Sequence, residues 1–232
     1  MSDALPLRIL AGATIPDTPL VAAAIDYARK YSNNPTYNNV LRSLLLGFII
    51  ADKVLPDRDR EVHAVAAILH DLGFPIGHPP DSPLLSKDKR FEVDGANAAR
   101  EFLKREADSA AWDKHRVQLV WDAIALHTIG SVVFEKEPEC QACSFGIWAD
   151  FQGPDRVAGG LLTWDEYNAV VKEYPRLGLM KDLKEQMCTL CVTKPDTTYD
   201  NTGDRYVKDY SRKGKLTQDL LETCNLDDIQ PK

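Results

Sequence analysis

The apolar positions of this chain recur at helical spacing from one segment to the next. In residues 17–31, DTPLVAAAIDYARKY, Leu20, Val21, Ala24 and Ala28 fall on one face, behind a cap at Asp17 or Thr18 and a proline suited to the first turn. A second helix is predicted over 38–54 and stopped by Pro56, and its run LLLGFII reads as a buried turn or two. Asp57 is placed to cap a third, through VHAVAAILHD to an end near Gly73. The next stretch, FPIGHPPDSPLLSKDKR, is rich in Pro, Gly, Asp and Ser and reads as a long loop, a length often tied to function.

Helices are expected again over 93–106 and 112–128, and then from Pro138 to near Gly153. Thr163 and Glu166 have capping-box spacing ahead of a helix to Tyr174, KDLKEQMCTLC gives another, and 215–223 a last short one. KPDTTYDNTGDR reads as loop, and no alternating strand pattern is expected anywhere. The expectation is therefore an all-α, single-domain helical bundle. Residues 1–14 would form an N-terminal extension, 15–210 the domain and 211–232 a C-terminal tail with a short helix.

Composition narrows the classes of function. The 232 residues are 44% hydrophobic and 27% charged with net charge −7, a balance that speaks against nucleic acid as the main partner. MSDALPLRILAG lacks the basic start and apolar run of a signal peptide, and no apolar run reaches membrane-spanning length. Five cysteines without a secretory signal suggest free thiols in a reducing, cytoplasmic setting. The pairs Cys140/Cys143 and Cys188/Cys191 have the spacing of zinc ligands, but both fall in helical sequence without knuckle glycines and are expected to be buried small residues. LLLGFII and the tryptophans are candidates for a homo-oligomer interface, although burial within the monomer is the commoner fate of such residues.

Chemistry concentrates at helix ends. His70 and Asp71 are adjacent donors of the kinds zinc, iron and manganese accept, and the helix end near Gly73 would let both face one ion. Asp150, in GIWADFQG, and His127, in AIALHTIG, also end apolar helices, where a polar group is costly unless partnered. Taken singly each of these is more often a satisfied core group; together they would converge in a bundle.

At these residues the chain resembles the HD-domain metal-dependent superfamily, whose pattern is His … His-Asp … Asp. Within it the chain looks like the cyanamide hydratase-type HD proteins. The resemblance runs over roughly 15–205 through IPDTPLVAAAIDYAR, NNVLRS, LHDLG, RFEVDGANAAREFL, AIALHTIG, GIWADFQG and TKPDTTYDN. It implies a metal site at His70, Asp71 and Asp150, with Asn39 where the first histidine is expected. Asn39 could ligate through its amide oxygen, leave a position to water, or disable the site.

The resemblance further implies one divalent metal, zinc by family, with iron or manganese as alternatives, and a small-molecule substrate. The implied reaction is hydration of a nitrile-like compound, cyanamide to urea, by hydroxide from a metal-bound water. His127 is the candidate proton shuttle, or a further metal ligand. Glu92 is placed toward the pocket by the resemblance, against an alternative as a helix-start acid that it shares with Asp94. Arg42, one helical turn after Asn39, would orient an acid or bind a phosphate. His78 is a candidate lid residue and Lys194 a candidate pocket residue. The alternatives to a hydro-lyase are an HD-type phosphohydrolase on a nucleotide or other phosphoester, and a non-catalytic protein disabled at Asn39.

Overall fold

A computed structural model describes residues 5–198. Nine α-helices follow a short hairpin among the described residues, so the chain is all-α. The helix expected at 215–223 and the tail lie outside them.

The hairpin, β1 (Leu7–Leu10) and β2 (Ala13–Pro16), corrects the expectation of no strand. Its turn is made by Ala11 and Gly12, both at positive φ (46° and 86°), the conformation a two-residue hairpin requires. The first strand is largely exposed, whereas Ala13 and Ile15 of the second are buried.

The helix α1 (Pro19–Tyr31) is capped by Thr18, whose hydroxyl accepts from the Val21 N–H. Asn33 caps α2 (Asn34–Val54), the central helix, in which every residue from Asn39 to Ala51 is buried. Burial on all sides explains why its sequence is nearly unbroken in apolar residues, and it leaves LLLGFII covered within the monomer. α3 (Arg60–Leu69) is capped by Asp59 rather than Asp57, because only Asp59 reaches the N–H groups of Glu61 and Val62.

The helices α4 (Phe91–Glu106), α5 (Lys114–Leu126) and α7 (Pro138–Gln152) complete the bundle, with a one-turn α6 (Gly130–Val133) between the last two. α8 (Trp164–Glu173) begins with the expected Thr163–Glu166 capping box, and α9 (Leu179–Thr193) closes the described chain.

Two glycine contacts position the site. A Cβ on Gly146 of α7 would lie 1.9 Å from the Ser43 carbonyl oxygen and 2.8 Å from the Gly47 Cα of α2. The two backbones therefore touch at one crossing, which brings Asn39 and Arg42 of α2 against Asp150 of α7. A Cβ on Gly73 would fall 1.8 Å from the Phe91 carbonyl oxygen, so the turn after α3 lies directly against the start of α4.

The loop between α3 and α4 has no regular element, as expected, but it is tied down. Gln186 of α9 accepts from the Ile76 N–H at 2.9 Å and donates to the Ile76 carbonyl at 3.1 Å. Phe74, Phe91 and Leu190 form a small apolar cluster beside it.

Candidate metal centre

His70 is the C-cap of α3 and His127 the C-cap of α5. Each imidazole uses Nδ1 on the carbonyl three residues earlier, His70 on Ala67 at 2.8 Å and His127 on Ile124 at 2.7 Å. A carbonyl only accepts, so both Nδ1 atoms carry the proton and both Nε2 atoms present lone pairs. This is the tautomer a metal-ligating histidine needs.

The Asp71 carboxylate lies between the two rings. His70 Nε2 is 3.2 Å from Asp71 Oδ2, and His127 Nε2 is 3.9 Å from Asp71 Oδ1. One donor atom from each of the three residues lies within 4.8 Å of the others, which fits a single ion. All three residues are buried, and His70 Nε2 has no hydrogen-bond partner. A buried lone pair without a donor is costly unless something outside the chain completes it. The residues fit a divalent metal on this ground.

The electrostatics of the two rings diverge. Burial pulls His70 down, but Asp71 beside it outweighs burial and raises its pKa. Burial and the neighbouring His70 lower that of His127, against Asp71 and Glu92. His127 is therefore the less readily protonated of the two.

Asp150 and Asn39 are held differently from the expected ligand arrangement. Arg42 grips Asp150 with both fork nitrogens, Nε to Oδ1 at 2.7 Å and Nη2 to Oδ2 at 2.8 Å, and Arg176 Nη1 adds a contact at 3.0 Å. The Asn39 amide donates to Asp150 Oδ2 at 2.7 Å. Burial alone would raise the Asp150 pKa, but the two guanidiniums and the Asn39 donor hold it below the usual carboxylate range. Asp150 thus stands in a guanidinium clamp, outside the His70–Asp71–His127 group. Asn39 Oδ1 is buried and has no hydrogen-bond partner.

Glu92 is fully buried, and Arg90 Nη2 (2.6 Å) and the Thr128 hydroxyl (2.6 Å) both donate to it. Burial is outweighed by Arg90, with help from His127 and Thr128, and Glu92 is held below its usual pKa. Asp94 and Lys194 form a buried ion pair at 2.7 Å, and the Ser86 N–H also donates to Asp94. His78 lies half-buried in the loop, hydrogen-bonded through Nδ1 to Ser82 and packed on Tyr31, and is not part of the three-residue group.

Sequence reasoning did not find Arg176, Arg90 and Thr128. Arg176 follows α8 in an irregular stretch, and no spacing links it to Asp150. Thr128 directly follows His127, and that adjacency was the available signal; its contact with Glu92, 36 residues away, comes only from packing. The cysteines carry no metal cluster among the described residues: Cys140, Cys143 and Cys191 are buried and Cys188 is exposed. No described helix is long and apolar enough to cross a membrane.

The fold is all-α, with ligand-type side chains converging from the ends of separate helices on a candidate metal site. Residues 36–144 match the model of the HD domain, which supports placing the chain in the HD superfamily. HD domains bind divalent metals, and His70, Asp71 and His127 all lie within the matched span. Asp150 and Arg176 lie beyond it. No curated protein matches the chain.

Proposed function

We propose that the protein is a metal-dependent hydro-lyase that adds water to a small, neutral, nitrile-like substrate of the cyanamide type. The observation that carries this reading is the complete engagement of Arg42. Its Nε and Nη2 bind Asp150 and its Nη1 donates to the Tyr174 and Pro175 carbonyls. Lys194 is likewise held by Asp94. A phosphoester needs uncommitted cations to receive it, and these two candidates are committed to internal carboxylates. The burial of His70, Asp71 and His127 also suits a small substrate.

His70 and Asp71 would hold the metal, and a divalent ion bound there supplies Lewis acidity that makes water acidic near neutral pH. His127, neutral and fixed by its Nδ1 bond to Ile124, offers Nε2 to take a proton from the attacking water and return it to the substrate nitrogen. Glu92, held ionised by Arg90 and Thr128, stabilises the imidazolium in between.

The test is urea formation from cyanamide by the purified protein, with metal content read by elemental analysis and p-nitrophenyl phosphate as the comparison substrate. Urea release with about one equivalent of metal supports the reading. Phosphate release without urea overturns it in favour of a phosphohydrolase. One observation favours a second reading, a non-catalytic protein: Asn39 donates to Asp150 and supplies no imidazole. Failure to take up zinc or manganese on soaking would establish that reading.

A further inference from the structure

A second concave site lies beside the C-terminal half of α7. It has a volume of about 390 Å³, within the range of small-molecule pockets. Its wall is aromatic: Phe134 and Phe145 stack at 5.5 Å between centroids, and Trp148 lies beside them. The Trp148 indole N–H is turned to the His127 carbonyl at 3.3 Å, so the indole's one polar atom is already satisfied.

Two polar side chains line this apolar space, Gln152 and Arg156. Neither makes a hydrogen bond or ion pair among the described residues. Gln152 is half-buried and Arg156 is exposed at the pocket mouth, so the guanidinium is open to a ligand entering from solvent. Gly130 completes the wall. A Cβ there would stand in ordinary contact, 3.7 Å from both Phe134 and Trp148, so a larger side chain at 130 would grow toward the aromatic pair.

From this juxtaposition we propose that the pocket binds a small amphipathic monocarboxylate with a planar, apolar body. The body would lie against Phe134, Phe145 and Trp148, and the carboxylate would meet the Arg156 guanidinium with the Gln152 amide beside it. Planar carboxylate recognition by a guanidinium fork, with an aromatic wall for the body, is the chemistry these side chains offer together. Trp148 joins this wall to the His127 backbone, but the proposal does not rest on the reaction proposed at the metal centre.

The experiment uses the full-length protein and two probes, 8-anilinonaphthalene-1-sulfonate fluorescence and its displacement by 2-naphthoate. Saturable binding is expected, with displacement by 2-naphthoate. Arg156→Gln should weaken 2-naphthoate about tenfold, the worth of one charge-assisted contact. Gly130→Leu should remove binding while its circular dichroism melt remains cooperative; Phe134→Ala serves as a second wall variant if Gly130→Leu does not fold. The neutral isostere 2-naphthylmethanol should bind more weakly than the acid. Equal binding of acid and alcohol, or binding unchanged in both Arg156→Gln and Gly130→Leu, overturns the proposal. So does absence of binding together with a dimer in sedimentation that Phe134→Asp dissociates, which would assign the pocket to a second copy of the chain.

Discussion

The Asn39 side chain donates its amide N–H to Asp150 Oδ2 at 2.7 Å while its own carbonyl oxygen stays buried without a hydrogen-bond partner. The bond orients the amide, so the unsatisfied oxygen is fixed rather than free to turn toward a donor. Replacement by histidine adds a nitrogen donor of the kind zinc prefers. Asn39→His should therefore tighten zinc at least tenfold, read by competition with a chromophoric chelator. Unchanged affinity would mean that position 39 does not face the ion.

The clamp on Asp150 should matter more to folding than to any metal. Arg42 and Asp150 are both fully buried, and removing one partner leaves the other's charge uncompensated. Arg42→Met is expected to cost about 3–5 kcal/mol, measured by urea unfolding. A loss below about 1 kcal/mol would show the pair to be solvated in solution.

His127 can hold a metal or move a proton, and a neutral replacement distinguishes the two. In His127→Gln the proposed mechanism keeps metal content near that of the native protein and loses urea formation by about a hundredfold or more. Loss of the metal itself would make His127 a ligand. Asp71→Asn should lose both.

The α2–α7 crossing tolerates no side chain. Gly146→Ala should destabilise by about 3 kcal/mol because its methyl meets the Ser43 carbonyl of the facing backbone. Gly160→Ala, where a Cβ meets nothing but the backbone has φ of 66°, should cost about 1 kcal/mol. The two melts compared side by side check this order.

Acid should act first through His63. This ring is fully buried, stacks on Phe48 and accepts from Arg58 Nε at 3.0 Å; burial, then Arg58 and Arg60, push its pKa well below the usual value. The unfolded chain gains that proton below about pH 6.5, whereas the folded one does not. The stabilising contribution is complete above that pH and is lost as pH falls toward the folded-state value. His127 and His78 act in the same direction and His70 in the opposite one. The urea midpoint of metal-free protein should fall between about pH 7 and pH 5. His63→Gln, which keeps an acceptor for Arg58 and cannot titrate, should flatten that slope. Asp150 and Glu92, both held low, lose their contributions only further into acid.

Much of the bundle was legible because its helices carry their own punctuation: Thr18, Pro138 and the Thr163–Glu166 box lie where the sequence puts them. The hairpin was missed because Ala-Gly is a weak turn signal, although Leu7/Ile9 and Ala13/Ile15 alternate on either side of it. The doublet and His127 were legible as ligand types at helix ends. Their convergence on the two oxygens of Asp71 depends on how α3 and α5 pack, which local sequence does not encode. Asp150 read as a ligand because an isolated buried carboxylate needs a cation. The structure also sets guanidiniums against it, one of them from Arg176, whose position no periodicity reveals.

The clamp also bears on where the chain can be cut. A fragment trimmed to the matched span 36–144 would keep Arg42 but lose Asp150. It would also lose Gln186 and Lys194, which hold the Ile76 backbone and Asp94. Such a fragment would expose a guanidinium and a carboxylate that the whole chain pairs internally. For expression or crystallisation, the smallest faithful unit therefore extends through α9 to at least Lys194.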